Sequence, residues 1–405
     1  MKTNRPVVVK KFGGTSVGSL ERIEAVAERL VEDFNAGQAP VVVASAMSGE
    51  TNRLVRLASD LNPYYRGPAY DMLLASGEQV SISLLVIALE KRGVKAEPLL
   101  AHQVGIKTDA LFSKARIQSV NTEKLLSLVN ADTIPVVAGF QGMAQDNRLT
   151  TLGRGGSDTT AVALAAALEC EECEIYTDVP AVFTADPRLV PNASEIERLS
   201  FEEMMEMASV GSKVLHFRCV EIAAKYGVRI HLRSTFERRT GTLIQKEDNM
   251  LENPVVSSVT HDPNTVVVKL NPVPEGADFL ANLFASLADK GIVVDIITQS
   301  QVENGQRLNF SIPAEDLPQT ELLLKDFVNE QVEVQIIPDM AKISTIGVGM
   351  KNHPGVASRF FKILKDVEAD VHLVTTSDIK ISAVIPKTQL DKAATALHTE
   401  FSLDK

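Results

Sequence analysis

The chain has 405 residues, of which 45% are hydrophobic and 23% charged, enough to bury a large core across two or three domains. Its net charge of −11 excludes nucleic acid as the main partner, because a phosphate backbone needs a basic face and the lysines and arginines here are scattered. No apolar stretch reads as a membrane span of about 18 residues, and Lys10-Lys11 interrupts the N-terminal apolar run before it could serve as a signal-peptide core, so a cytoplasmic protein is expected.

From the N-terminus, the apolar strand Val7-Val8-Val9 runs into Lys10-Lys11-Phe12-Gly13-Gly14-Thr15-Ser16. Paired glycines let the backbone approach a charged ligand and offer it bare N–H groups, while a lysine supplies compact positive charge, so the junction suits phosphate. Gly13 and Gly18 fit half of a P-loop, but Ser19-Leu20 follows where Lys-Ser/Thr is needed, and the motif fails. Taken alone, the segment also fits a tight strand-to-helix turn. Continuous apolar strands are expected over residues 41–44, 134–139 and 174–177, with helices over 20–34, 72–92 and 158–169 between them. This alternation predicts a doubly wound, mostly parallel α/β sheet that binds ligands beyond the carboxyl ends of its strands.

Thr150-Thr151-Leu152-Gly153-Arg154-Gly155-Gly156-Ser157-Asp158 leads into an alanine-rich run, which puts Gly155, Gly156 and Ser157 at a helix N-terminus. Such an end attracts anions, and Arg154 adds a planar fork suited to a carboxylate. Ile175 to Arg188 reads as a strand followed by a turn-rich loop bearing an acid and a base. Phe201-Glu202-Glu203-Met204-Met205-Glu206-Met207 reads as a methionine-lined core face with solvated glutamates. Cys170, Cys173 and Cys219 are an odd set, and Cys170-x-x-Cys173 lacks the second pair or histidine of a zinc site, so they read as structural.

Beyond Asn253 an internal repeat appears, each copy reading strand, turn, helix, strand: residues 266–270, Gly276, 279–290 and 292–298, then 343–348, Gly355, 358–368 and 371–375. Gly276 to Gly355 is an offset of 79 and Thr298 to Thr375 one of 77, so the copies slip by two residues and Asp295 aligns with His372.

In this order the segments resemble the aspartokinase family of the amino-acid kinase superfamily. Lys11-Phe12-Gly13-Gly14-Thr15-Ser16 is similar to the family's opening signature, and Ser45-Ala46-Met47-Ser48-Gly49-Glu50-Thr51-Asn52 to its second glycine loop. Ser76-Gly77-Glu78, the Arg154 loop, Thr177-Asp178-Val179-Pro180 and Gly211-Ser212-Lys213-Val214-Leu215-His216 follow in family order. Pro274-Glu275-Gly276 and His353-Pro354-Gly355-Val356 resemble the turn of ACT domains. The chain departs from the family at Ala181 and Phe183, where glycine and tyrosine are usual; an aromatic ring at 183 retains stacking but loses a hydroxyl.

The resemblance implies a kinase domain over 1–250 and two α+β, ferredoxin-like ACT domains over 262–335 and 340–405. It implies transfer of the γ-phosphoryl of ATP, accompanied by Mg2+, to the side-chain carboxylate of L-aspartate, opening lysine, threonine and methionine biosynthesis. Lys11 would neutralise the transferring phosphoryl with help from the N–H groups of Gly13 and Gly14, Phe12 would belong to the same nucleotide-binding segment, and Asp158 would orient that lysine. Arg154 would pair with the substrate α-carboxylate, Glu78 with its ammonium, and Thr51, Gly155, Gly156 and Ser157 would complete the pocket. Glu78 in isolation also fits an acid placed at a helix N-terminus. Thr177, Asp178, Phe183, Arg188 and Lys213 would contact nucleotide, and no residue is assigned as a direct metal ligand. Lysine, threonine or both would act as feedback effectors bound near Gly276 and Ala277, with Asp295 on the effector ammonium and Gln299 on its carboxylate or hydroxyl. The resemblance implies a homodimer or higher oligomer through the ACT domains, and since some members of the family make an internally initiated ACT-only product, Met250 at the domain boundary leaves that alternative open. The rival readings are a kinase for glutamate or N-acetylglutamate and a non-catalytic regulatory subunit.

Overall fold

A computed structural model describes residues 5–211, 214–247, 255–302, 305–327 and 332–404. The chain divides into two compact units, and the division is not a single cut. Residues 183–194 and 209–212 leave the first unit and join the C-terminal one, so the first unit is not the continuous stretch expected from the sequence.

In the first unit, Val7–Phe12 lies near the middle of an eight-stranded sheet. Its partners are Ala39–Ala44 and Glu172–Thr177, both parallel, and Ile134–Ala138, Ala96–Leu99 and Arg229–Ser234 extend the parallel array. Only the pairing of Arg229–Ser234 with Thr242–Gln245 is antiparallel among the pairs described in this sheet. Val41, Val42, Val43, Val136 and Val137 are fully enclosed, as strands covered on both faces require. The helix Leu20–Asn35 starts at Ser19, whose hydroxyl accepts from the Arg22 N–H, and it buries Ile23, Val26, Ala27 and Leu30 against the sheet.

The helix Pro68–Glu90 is, among the described residues, the one long and apolar enough to cross a membrane by length and composition, which corrects the reading of the apolar runs. It is a core helix: Leu74, Ile82, Leu85 and Leu89 are buried, and so are Asp71 and Glu78. The glutamates of Phe201–Ser209 also depart from expectation. Met204 and Met207 do face the core, but Glu203 is buried too, accepting from the Ser200 N–H and hydroxyl while the Ser200 hydroxyl accepts from the Glu203 N–H. This reciprocal pair is a capping box, which a run read only for its periodicity conceals.

The second unit carries a six-stranded antiparallel sheet in the order Ile297–Val302, Gly305–Pro313, Ser258–Val273, Glu333–Ile346, Lys380–Pro386, Leu373–Thr376. Ser258–Val273 and Glu333–Ile346 each serve both repeats. Residues 258–262 pair with 342–346, beside the second repeat's helices, and residues 265–271 pair with 333–340, beside the first's. The two ACT-like cores are thus interlocked. Leu283, Leu287 and Leu323 pack on Val268 and Phe310, whereas Phe360, Ala393 and Leu397 pack on Ala341 and Ile385. Residues 183–194 join the latter cluster through Ala185 and Val190. The Thr184 hydroxyl stands 2.8 Å from His398 Nε2, and the Thr184 carbonyl accepts from the Val259 N–H at 2.7 Å.

Under the first unit's sheet lies a buried charge network that the sequence did not announce. Lys10, enclosed on all sides, pairs with Glu174 at 2.7 Å and Asp33 at 2.9 Å, and Glu174 also accepts from the Tyr176 hydroxyl and Arg233. Burial works to raise the Glu174 carboxyl, yet Lys10 and these donors hold it below its usual range. Lys10→Met should therefore destabilise the protein by about 3 kcal/mol, since a buried carboxylate keeps only part of its compensation. Urea unfolding monitored by circular dichroism checks this.

Candidate active site

The loops at the carboxyl ends of the central strands converge on one cleft of about 280 Å³, lined by Lys11, Gly14, Thr51, Glu78, Arg154 and Asp158 among others. Its floor is a zipper of backbone. The Ser45 N–H donates to the Phe12 carbonyl and the Ser48 N–H to the Gly14 carbonyl, both at 3.1 Å. A Cβ on Gly14 would sit 2.8 Å from the Ala46 carbonyl, so glycine is what lets the two loops touch. Gly77 does the same for the helix behind, where a Cβ would lie 2.8 Å from the Ala46 side chain.

That close approach delivers Glu78. Its Oε1 accepts from the Ala46 N–H at 3.1 Å, while Oε2 is buried with no protein partner. Glu78 lies in the middle of Pro68–Glu90 and is 2% exposed, so it is not an acid at a helix N-terminus. Burial pushes its pKa up to about 8, against the lowering effect of the Ala46 N–H. At neutral pH the ligand-free cleft holds a neutral carboxyl suited to receive a cation.

Across the cleft, Lys11 Nζ pairs with Asp158 Oδ1 at 2.6 Å. Asp158 sits in the first turn of the helix Gly156–Ala167, and the N-cap Gly155 adopts φ +66°. A second helix, Glu50–Leu61, begins at the same cleft with Thr51 in its first turn and Gly49 as its cap. Two positive helix ends thus face one space. Arg154 is exposed and has no hydrogen bond or ion pair among the described residues, leaving its guanidinium fork free.

Several of the expected site residues stand outside the cleft or have groups engaged by the protein itself. Phe12 is completely buried and stacks on Tyr176 with ring centroids 4.8 Å apart, so its side chain reaches no ligand. The Gly13 N–H is spent on the Tyr176 carbonyl at 3.1 Å. The Thr177 hydroxyl donates to Asp178 Oδ1, and neither residue lines the cleft. Phe183 and Arg188 belong to the second unit, where Asp186 occupies the Arg188 fork at 2.6 to 3.2 Å. Lys213 and Met250 lie outside the described residues. In the second unit Asp295 pairs through Oδ2 with the buried Lys342, and its side chain is otherwise exposed. Gln299 donates to Gln306, and Gly276 and Ala277 form the start of the helix Ala277–Asp289. Sequence reasoning also missed residues that shape the Arg154 loop. Asp71, fully buried, accepts from the Thr151 N–H at 2.6 Å and from Ser113, and Arg218 reaches the Leu152 carbonyl. An acid within an otherwise apolar helix is the one signal that could have exposed Asp71.

Cys170, Cys173 and Cys219 are free thiols; burial raises all three, Cys170 to about 11, and they take no part in the cleft. Glu172, Glu174 and His231 stand close enough to hold an ion. Both His231 nitrogens are engaged, however, with Glu172 and the Thr240 carbonyl, and Glu174 is neutralised by Lys10 and Arg233.

A parallel sheet with anion-binding helix ends and a lysine–aspartate pair at its carboxyl edge defines a small-molecule phosphotransferase, and similarity to known proteins specifies the class. Residues 6–234 match the amino acid kinase family, and residues 343–401 match an ACT domain. Aspartokinase 2 of Bacillus subtilis is 43% identical over 98% of both chains, and the aspartate kinase of Pseudomonas putida is 42% identical over 98% of both. The Escherichia coli aspartokinase III complex with aspartate and ADP is similar with a TM-score of 0.82 at 27% identity, covering 97% of this chain and 99% of that one. The same enzyme's complex with lysine and aspartate gives 0.78. The chain belongs to the aspartokinase family.

Glu78 makes the cleft costly to keep. Its folded pKa is raised, so between 4.5 and about 8 the unfolded chain ionises where the folded chain does not, and stability falls as pH rises through that window. Glu78→Gln should recover stability on the order of 3 kcal/mol at pH 7 and flatten that slope. Thermal melts of both proteins from pH 5 to 8, without ligands, check it.

Proposed function

We propose that this chain transfers the γ-phosphoryl of ATP to the side-chain carboxylate of L-aspartate, giving 4-phospho-L-aspartate and ADP. The observation that carries the reading is the opposition, in one cleft, of a free arginine fork and a neutral buried carboxyl beside a lysine–aspartate pair. An amino-acid carboxylate suits Arg154, and its ammonium suits Glu78 once that group surrenders its proton. The opposed groups act on the amino acid's two backbone charges, leaving the side chain to point toward Lys11.

A carboxylate is already a competent nucleophile at neutral pH, so no general base is required. A side-chain oxygen attacks the γ-phosphorus as the bond to the ADP oxygen breaks. Both reactants are anions, and catalysis rests on positioning and on cancelling charge in a loose transition state. Lys11 meets the phosphoryl oxygens, Asp158 keeps the ammonium aimed, and the two helix ends supply N–H groups. Magnesium arrives with the nucleotide, held largely by phosphate oxygens and water, as this hard cation prefers. We assign it no protein ligand.

Regulation is assigned to the C-terminal unit, with lysine as effector, supported by the lysine complex of the Escherichia coli relative; threonine, alone or with lysine, is the second candidate. Assembly into a dimer or higher oligomer through this unit, an ACT-only product from Met250, a cytoplasmic location and opening of the lysine, threonine and methionine route complete the reading.

ADP release by purified protein with ATP and magnesium tests it. Aspartate should support turnover and glutamate or N-acetylglutamate should not, and lysine or threonine should lower the rate; activity with another acceptor alone would overturn it. Lys11→Ala should cut kcat by about 1,000-fold or more without loss of fold. Arg154→Lys, which keeps the charge and loses the fork, should raise the aspartate KM about 10-fold with the ATP KM nearly unchanged.

A further inference from the structure

Arg154 poses a mechanical problem. Its side chain has no partner among the described residues, and a free arginine carries about 2 kcal/mol of rotamer entropy that binding must remove. Two-point recognition of a carboxylate works only if the backbone beneath that side chain is held still. A glycine on each side, Gly153 at φ +78° and Gly155 at φ +66°, makes the segment intrinsically loose.

The first turn of the helix Phe217–Tyr226 grips that segment from both ends. Arg218 Nη1 donates to the Leu152 carbonyl at 2.5 Å, two residues before Arg154, and its Nη2 donates to the Ala115 carbonyl at 2.9 Å. The Ala115 N–H in turn donates to the Thr151 carbonyl at 3.0 Å, so one guanidinium ties two strands of backbone together. On the other side of Arg154, the His216 side chain lies against Gly155, where a Cβ would come within 2.2 Å of the His216 Cβ. His216 caps the same helix, its Nδ1 accepting from the Arg218 N–H at 3.3 Å. The two gripping residues are therefore fixed to one another.

Arg218 is half-buried and its guanidinium bonds neutral carbonyl oxygens; among the described residues Asp109 and Glu221 act on it only from beyond ion-pair distance, opposed by Arg116. A neutral donor would anchor a purely structural turn at lower desolvation cost. A guanidinium can satisfy two carbonyls at once in a fixed plane, and it leaves its charge beside a loop that must receive an anion.

We propose that Arg218, braced by His216, is a positioning residue for Arg154, setting the carboxylate-binding loop for the amino-acid substrate while leaving nucleotide binding untouched. The proposal rests on the assignment of Arg154 to the substrate α-carboxylate, and the test separates the two. Steady-state kinetics on the full chain compare Arg218→Gln, Arg218→Lys, Arg154→Ala and the double variant Arg154→Ala/Arg218→Gln. Arg218→Gln should raise the aspartate KM about 10-fold with the ATP KM and kcat changed by less than about 3-fold, and Arg218→Lys, which can reach one carbonyl, should fall between. In the Arg154→Ala background, Arg218→Gln should add less than about 2-fold, because both act through the same fork. Added guanidinium ion should restore part of the aspartate KM of Arg218→Gln and none of that of the double variant.

An unchanged aspartate KM in folded Arg218→Lys, equal rises for both substrates, or full additivity with Arg154→Ala would each overturn the positioning role. If Arg154→Ala itself leaves the aspartate KM alone, the assignment of Arg154 falls instead. Should Arg218→Gln fail to fold, Arg218→Lys and His216→Ala carry the same comparison, the latter loosening the Gly155 side of the grip.

Discussion

Two anions, one of them carrying the nucleophilic carboxylate, have to share one small space, and the arrangement of the first unit follows from that constraint. Positive charge alone would solve the attraction and lose the discrimination. The cleft separates these demands among its walls. Two helix ends and Lys11 paired with Asp158 line one part of it, and the Arg154 fork and the buried carboxyl of Glu78 line the rest. Glu78 is the expensive member, because it is enclosed and has one oxygen without a protein partner. A buried group in that condition is tolerated where binding relieves it, which ties the local instability of the ligand-free site to the identity of its ligand.

Much of the scaffold exists to bring these groups within reach of each other. Gly14 and Gly77 remove the side chains that would hold loop and helix apart, and the result is that Glu78 can touch the Ala46 N–H from the middle of a long core helix. The Lys11–Asp158 pair links the central strand to the helix whose N-terminus closes the cleft. Behind them, Lys10 points the opposite way into a buried acid pair, so adjacent lysines on one strand have different surroundings: one is enclosed by Asp33 and Glu174, the other pairs with Asp158 in the cleft. Alternation along a strand enforces that division.

The layered α/β unit was legible in the sequence because enclosed parallel strands are continuous apolar runs and their helices keep a helical period. The glycine loops were legible because paired glycines at a strand end let backbone come close to a ligand or to a neighbouring loop, and Gly14 does the second in order to permit the first. What escaped had no local signature. Lys10 was given no role until the sheet turned it into a buried acid pair, and Glu203 looked solvated until Ser200 was seen to cap with it. Asp295 looked free because its partner Lys342 is 47 residues away, on the strand Glu333–Ile346. Phe12 and Arg188 were assigned by motif, and their side chains are spent on Tyr176 and Asp186. The two repeats were visible as copies, but nothing in a repeat announces that two long strands will be shared between them.

The central claim is that Glu78 is neutral in the ligand-free cleft and becomes a carboxylate when an amino-acid ammonium arrives. Calorimetric titration of the protein with aspartate at pH 7, in two buffers of different ionisation enthalpy, tests it directly. Release of close to one proton per aspartate bound is expected, vanishing in Glu78→Gln, since the group moves from a pKa of about 8 to full ionisation. Heats that are the same in both buffers, with aspartate bound and no proton exchanged, would contradict it.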